Sequence, residues 1–220
     1  MIATILILSK THMNNGHACV GGITLEGRYV RLLDENCENQ PENTDFEPKQ
    51  AWEIEFKERE NNISPHIEDI IVINRTSKGK LKDTITLKDF LQKREIPIWK
   101  GGPDEIFDKL IKFTQSGSGY IDKSGGIPNH SVGFWINDKD LKKKEFNGIR
   151  YQYPSVNCWR SIKFKGFEEP VEVIPAGTLI RVSLARWKAF DVNEEPKCWL
   201  QISGWYDLGK NSDEVDDLPF

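Results

Sequence analysis

Residues 175–206 read PAGTLIRVSLARWKAFDVNEEPKCWLQISGWY, and the fold turns on this stretch. Residues 178–188 and 197–206 are each about one strand long and rich in the β-branched and aromatic side chains that suit a pleated, half-buried surface. A polar connection with Asp191, Asn193, Glu194, Glu195 and Pro196 separates them. Alternation sets Leu179, Arg181, Ser183, Ala185 and Trp187 against Ile180, Val182, Leu184 and Arg186 on the first strand. On the second it sets Trp199, Gln201, Ser203 and Trp205 against Leu200, Ile202 and Gly204. The pair predicts a hairpin with an aliphatic back and a front of indoles, guanidinium and hydrogen-bonding groups.

Working outward, residues 131–136 (SVGFWI), 149–153 and 157–164 read as further strands of the same β unit. A Gly/Ser-rich turn segment (116–128) precedes them, and 138–146 reads as a lysine-rich excursion. Charge is concentrated here. The chain carries a net −4 overall, yet residues 139–188 hold eleven Lys/Arg and five Asp/Glu, net +6.

The N-terminal part repeats the β character. Residues 1–8 (MIATILIL) read as a buried strand, followed by a loop, SKTHMNNG, with an Asn-Asn-Gly turn signal. Residues 17–23 and 28–33 form a hairpin closed by Leu25-Glu26-Gly27. After an acidic surface loop (34–50), AWEIEFK alternates with Trp52, Ile54 and Phe56 inward, and 67–74 is another strand. Five short strands in about 75 residues suit a small barrel better than a parallel sheet. Between the β units the period becomes helical. Leu87, Phe90 and Leu91 follow Thr84 as N-cap, and Pro103 opens a second short helix with Ile106, Phe107, Leu110, Ile111 and Phe113 as its stripe.

A hydrophobic fraction of 38% with 29% charged residues is that of a soluble globular chain, and no apolar run approaches a membrane span. Residues 2–8 lack the basic start and cleavage site of a signal peptide, so a cytoplasmic setting is expected. Cys19, Cys37, Cys158 and Cys198 are scattered and form no CxxC pair, which argues for reduced, buried thiols over disulfides or zinc.

The order SKTHMNNGHACVGGI, GRYVRLL, AWEIEF, PHIEDI, GSGYI, GIPNHSVGFW, DKDL, RYQYP, FKGFE, IPAGTLIRVSLARW and LQISGWY resembles a bacterial family described as a dual OB-containing domain. The resemblance implies two OB-type barrels and a role with nucleic acid, in bacterial defence against foreign DNA. It supplies no catalytic residues. The expected organisation is mainly β: a first OB-like unit over 1–80, a helical connector over 81–115, a second OB-like unit over 116–210 and an acidic tail over 211–220.

An OB barrel binds oligonucleotides by joining a basic groove to aromatic faces that accept stacked bases. In the second unit Trp187, Trp199, Trp205 and Tyr206 are candidate platforms, and Arg150, Arg160, Lys163, Lys165, Arg181 and Arg186 candidate phosphate partners. Arg28 and Arg31 extend the set into the first. Each indole is equally at home in a barrel core, and each arginine beside a local acid. Lys139, Lys142, Lys143 and Lys144 form a positive patch on a solvated loop. The glycines of GSGYIDKSGG lack the GK[ST] ending of a phosphate-binding loop and read as tight turns. Ser9, Lys10, Thr11 and His12, or His66 with Glu68 and Asp69, could serve an enzyme, but no HExxH, GxSxG or paired-carboxylate pattern accompanies them. The leading expectation is non-catalytic nucleic-acid binding with no metal, cofactor or membrane. A protein-docking adaptor subunit is the alternative, since aromatics and Arg also mark protein interfaces; a nucleic-acid-processing enzyme is third.

Overall fold

The computed structural model describes residues 1–80, 86–155, 159–189, 191–192 and 194–206. Six strands form the first unit: β1 (Ile2–His12), β2 (His17–Thr24), β3 (Tyr29–Leu33), β4 (Gln40–Pro41), β5 (Gln50–Glu58) and β6 (Asp69–Lys80). β1 pairs antiparallel with β2 and β5, β5 with β6, and β2 with β3, while β6 closes the ring parallel to β3. The result is a closed five-stranded barrel with β4 appended to β2. Its core takes alternate positions of each strand, including Ile5, Ile7, Val20, Val30, Leu32, Trp52, Ile54, Phe56 and Ile70. Phe46, from the acidic loop expected at the surface, is fully buried and edge-on to Trp52 at 5.0 Å.

β1 is longer than its apolar run. Ser9–His12, expected as loop, continue the strand opposite β2, and the turn comes at Asn15 and Gly16, both in the left-handed region (φ 61° and 70°). That extension reaches the second unit: His12 N donates to Lys165 O (2.9 Å) and Phe167 N to Lys10 O (3.2 Å), with His12 stacked on Phe167.

Of the connector's described residues only α1 (Leu87–Lys93) is α-helical. The expected cap Thr84 lies outside the described residues; the observed cap is Thr86, whose Oγ1 accepts from Asp89 N at 3.1 Å. The second expected helix is absent. After one 3₁₀ turn at Pro103–Glu105, Phe107, Asp108 and Lys109 all take positive φ, which an α-helix excludes. Its apolar residues pack on the second unit's core nonetheless, Ile106, Phe107 and Ile111 buried and Leu110 and Phe113 half-buried.

The second sheet holds β7 (Ile98–Gly101), β8 (Lys112–Phe113), β9 (Gly119–Ile121), β10 (Val132–Asn137), β11 (Leu141–Glu145), β12 (Ile149–Pro154), β13 (Trp159–Phe164), β14 (Val173–Ile174), β15 (Leu179–Leu184) and β16 (Cys198–Tyr206). Its path runs β11-β12-β13-β16-β15-β10. β13 and β16 are parallel and the other neighbours on that path antiparallel, as at the corresponding places of the first barrel. Because β10 and β11 are separated only by residues 138–140, the path returns to the stretch where it began. The lysine excursion is therefore a strand, held between β12 and β14. The Gly/Ser segment is tightly turned and contains β9, which pairs with β16.

The hairpin's back is as expected, with Ile180, Val182, Leu184, Leu200 and Ile202 in the core. Its front differs. Opposite β15 the register skips Ser203 on β16, since Arg181 faces Gly204 and Val182 faces Ile202. This bulge reverses the alternation, so Trp205 turns inward and stacks on Phe164 (4.8 Å). Leu179 and Tyr206 turn the other way, against Leu6, Leu8, Ile23 and Tyr29 of the first barrel, with Phe134 of β10 and the Leu87, Phe90 and Leu91 face of α1. One apolar seam thus fastens the barrels together.

Candidate functional site

Beside that seam lies a cleft of about 810 Å³. From the first barrel it is lined by the end of β1, by β2 and β3, the β1–β2 turn, the β3–β4 loop and the β5–β6 loop; from the second by the start of β10, by β15 and the residues just after it, Lys165, and Gln201 on β16. Six Lys or Arg (Arg31, Arg59, Lys165, Arg181, Arg186 and Lys188) face Glu38 and Glu68, with Trp187, His12 and His17 among the other lining residues. In a net-negative chain this is a concentrated positive surface.

Three of these arginines converge on one carboxylate. Asp69, fully buried at the start of β6, accepts from Arg31 on β3, Arg59 on the β5–β6 loop and Arg186 after β15, each at 2.6 Å. One carboxylate cannot neutralise three guanidinium groups, so the cluster stays cationic, and its five-donor forks are pre-positioned. Arg186 also crosses from one barrel to the other, making the cluster a structural tie.

Arg181 is 3% exposed, and its Nη1 donates to Ser9 Oγ (2.6 Å) and Ser203 Oγ (3.1 Å). Gly21 makes room for it: a Cβ there would fall 2.4 Å from Arg181 Nη2. Ser131 adds another crossing, donating from N and Oγ to the carboxylate of Glu68. Trp187 Nε1 donates to Ser64 O at 2.7 Å, which fixes its ring at the rim.

The suggested catalytic groups are tied into structure. Burial, with Arg31 beside it, pushes His66 down to about 4, so its ring is neutral and its Nε2–H donates to Ala185 O (3.1 Å). Cys198 Sγ lies 3.7 Å from that nitrogen, and burial pushes its thiol up to about 12. A neutral imidazole beside a protonated thiol is not an activated nucleophile. Ser9 is held by Arg181 whereas His12 stacks on Phe167, so the two do not form a pair. Among the described residues no three His, Cys, Asp or Glu converge as metal ligands.

The structure sorts the residues singled out in the sequence. Arg31, Lys165, Arg181, Arg186 and Trp187 come together in the cleft. Arg28 is elsewhere, in a two-bond pair with Glu58 (2.6 Å each). Arg160 pairs with Asp104 (3.1 Å) and covers Phe113. Arg150 and Lys163 sit on the outer face of β12 and β13. Trp205 and Tyr206, expected as platforms, are buried at 6% and 5%, the latter donating from its hydroxyl to Leu8 O (2.5 Å). Trp199 is half-buried against Tyr120. Of the free thiols among the described residues only Cys198 is buried; Cys19 is half-buried and Cys37 exposed, and Cys158 lies outside the described residues. Arg59 is a further cleft residue, which its sequence context does not single out. It sits in an ordinary-looking charged run, KERE, and only the fold brings it to Asp69.

Among curated proteins and among solved structures, nothing matches the chain significantly. No helix among the described residues is long and apolar enough to cross a membrane. The family model for a dual OB-containing domain matches residues 3–205, and with its two barrels of like strand order the chain belongs to that family.

Proposed function

We propose that the protein binds single-stranded nucleic acid in the cleft between its barrels, without itself cutting or joining the strand. The observation that carries this is the coincidence of charge with position. OB barrels take oligonucleotides on strands 2 and 3 and on the loops joining strands 1–2 and 4–5. In the first barrel those elements are β2, β3, the β1–β2 turn and the β5–β6 loop, and all of them line the cationic cleft, together with the end of β1 and the β3–β4 loop. The second barrel supplies the opposite wall, with Arg186 and Trp187 as phosphate partner and base-stacking surface. About 810 Å³ accommodates a nucleotide or two but not a duplex.

Fluorescence anisotropy with labelled single-stranded DNA, single-stranded RNA and duplex DNA at two salt concentrations tests this. Salt-sensitive binding to a single strand, weakened by Lys165→Gln and Trp187→Ala with the fold intact, is the expected result. Binding to none of the three at low salt overturns it and favours a docking surface for protein. A role in defence against foreign DNA is suggested by the family resemblance alone. It would be supported if a cell lost its protection when carrying only a binding-deficient variant.

A further inference from the structure

Accepting the cleft as the strand-binding site, we infer that the bound single strand does not end there but continues across the outer face of β11, β12 and β13. Lys165, at the cleft wall, lies two residues beyond Lys163, so the two side chains share a face of the chain. Lys163 is in register with Arg150, and Arg150 with Lys144, forming a cationic row across three adjacent strands. A second row, Ser161–Gln152–Lys142, runs beside it. At the far end of the same face of β13 stands Trp159, 51% exposed.

Among the described residues no acid pairs with the cations of this face. Arg150 is held by neutral acceptors, Ser161 Oγ (2.7 Å), Ser118 Oγ (2.9 Å) and Ser161 O (2.9 Å). Among the described residues Lys142, Lys144 and Lys163 have no ion-pair partner. Burial, then the neighbouring Lys165 and Arg150, hold Lys163 below its usual range, which places like charges close together. The acids lie on the opposite side of β11: Lys143 points there, pairs with Glu172 and has Glu145 and Glu169 nearby. A solvated lysine strand would not need its charges sorted in this way. A continuous cationic row that starts at a cleft and leads to an exposed indole suits a phosphate backbone with a base stacked at its end.

The test compares fluorescein-labelled single strands of about 5 and about 20 nucleotides, lengths chosen around the 4–16 nucleotides that OB folds occupy. The full chain should bind the long strand more tightly. Lys144→Gln with Lys163→Gln, and separately Trp159→Ala, should weaken long-strand binding roughly tenfold at low salt while leaving the short strand unchanged. Lys143→Gln should alter neither. If the long strand gains nothing over the short one, or the double variant binds it like the parent, the path over β11–β13 is wrong and the cleft stands. If the short strand fails to bind, cleft binding itself is wrong, and the path with it. Unchanged urea midpoints for the variants confirm that folding is not the cause.

Discussion

The cations of the cleft and those of the β11–β13 face are the same residue types in opposite circumstances. Arg31, Arg59 and Arg186 share the buried carboxylate of Asp69, and Arg181 is sealed against Ser9 and Ser203. Lys144, Arg150 and Lys163 have no carboxylate partner among the described residues and help fasten no interface. The difference teaches that positive charge in the cleft is part of the architecture, because it ties one barrel to the other while lining the proposed binding site. On the sheet the two lysines are additional to the fold, and only Arg150 is tied to it, through Ser118 and Ser161. Stability and binding should therefore fail together in the first region and separately in the second.

The largest effect is expected at Asp69. Asp69→Ala leaves three guanidinium groups without their carboxylate, and urea denaturation should show a loss of about 3–5 kcal/mol, with binding lost as well. Two tryptophans sharpen the contrast. Trp205→Ala empties a core position against Phe164 and Tyr151 and should cost about 3–5 kcal/mol. Trp159→Ala should change stability by no more than about 0.5 kcal/mol.

His66 gives a pH signature of the junction between the barrels. Its folded value of about 4 lies below the ordinary 6.5, so between those limits the unfolded chain binds the extra proton. Stability from this group is complete above about pH 6.5 and falls as pH drops towards 4, by roughly 3 kcal/mol at most. His66→Gln should flatten that part of the profile in a thermal-melt series. At Trp187, replacement by Ala should cost about 1–3 kcal/mol of single-strand binding in anisotropy titrations. The smallest effect separates two neighbours: Lys144→Gln should reduce the salt slope of long-strand binding by about 0.7, and Lys143→Gln should leave it unchanged.

How far this was legible in the sequence depends on where the deciding contacts lie. AWEIEFK and the back of β15 were readable because strict alternation over a regular strand has one solution. Trp205 and Tyr206 were not, since a single bulged residue, Ser203, reverses the phase and nothing local marks it. Lys142–Lys144 carry little β-propensity and form a strand because β12 and β14 flank them. The helical stripe at residues 106–113 named side chains that do pack on the core, Ile106, Phe107 and Ile111 buried and Leu110 and Phe113 half-buried, but attached them to the wrong backbone. Within the site, Arg31, Arg181, Arg186 and Trp187 stood out by type. Asp69 stood out only as a neighbour of His66 and Glu68, not as the partner of these arginines, and Arg59 did not stand out at all, because Arg186 reaches Asp69 across 117 residues of chain.

The most direct measurement is photocrosslinking of a bound single strand carrying 5-iodouracil, followed by mass spectrometry of the labelled peptides. Binding in the inter-barrel cleft predicts an adduct on Trp187, joined by Trp159 when the strand is long enough to follow the basic row. A strand that binds the folded protein yet forms its adducts only away from the cleft would contradict the account.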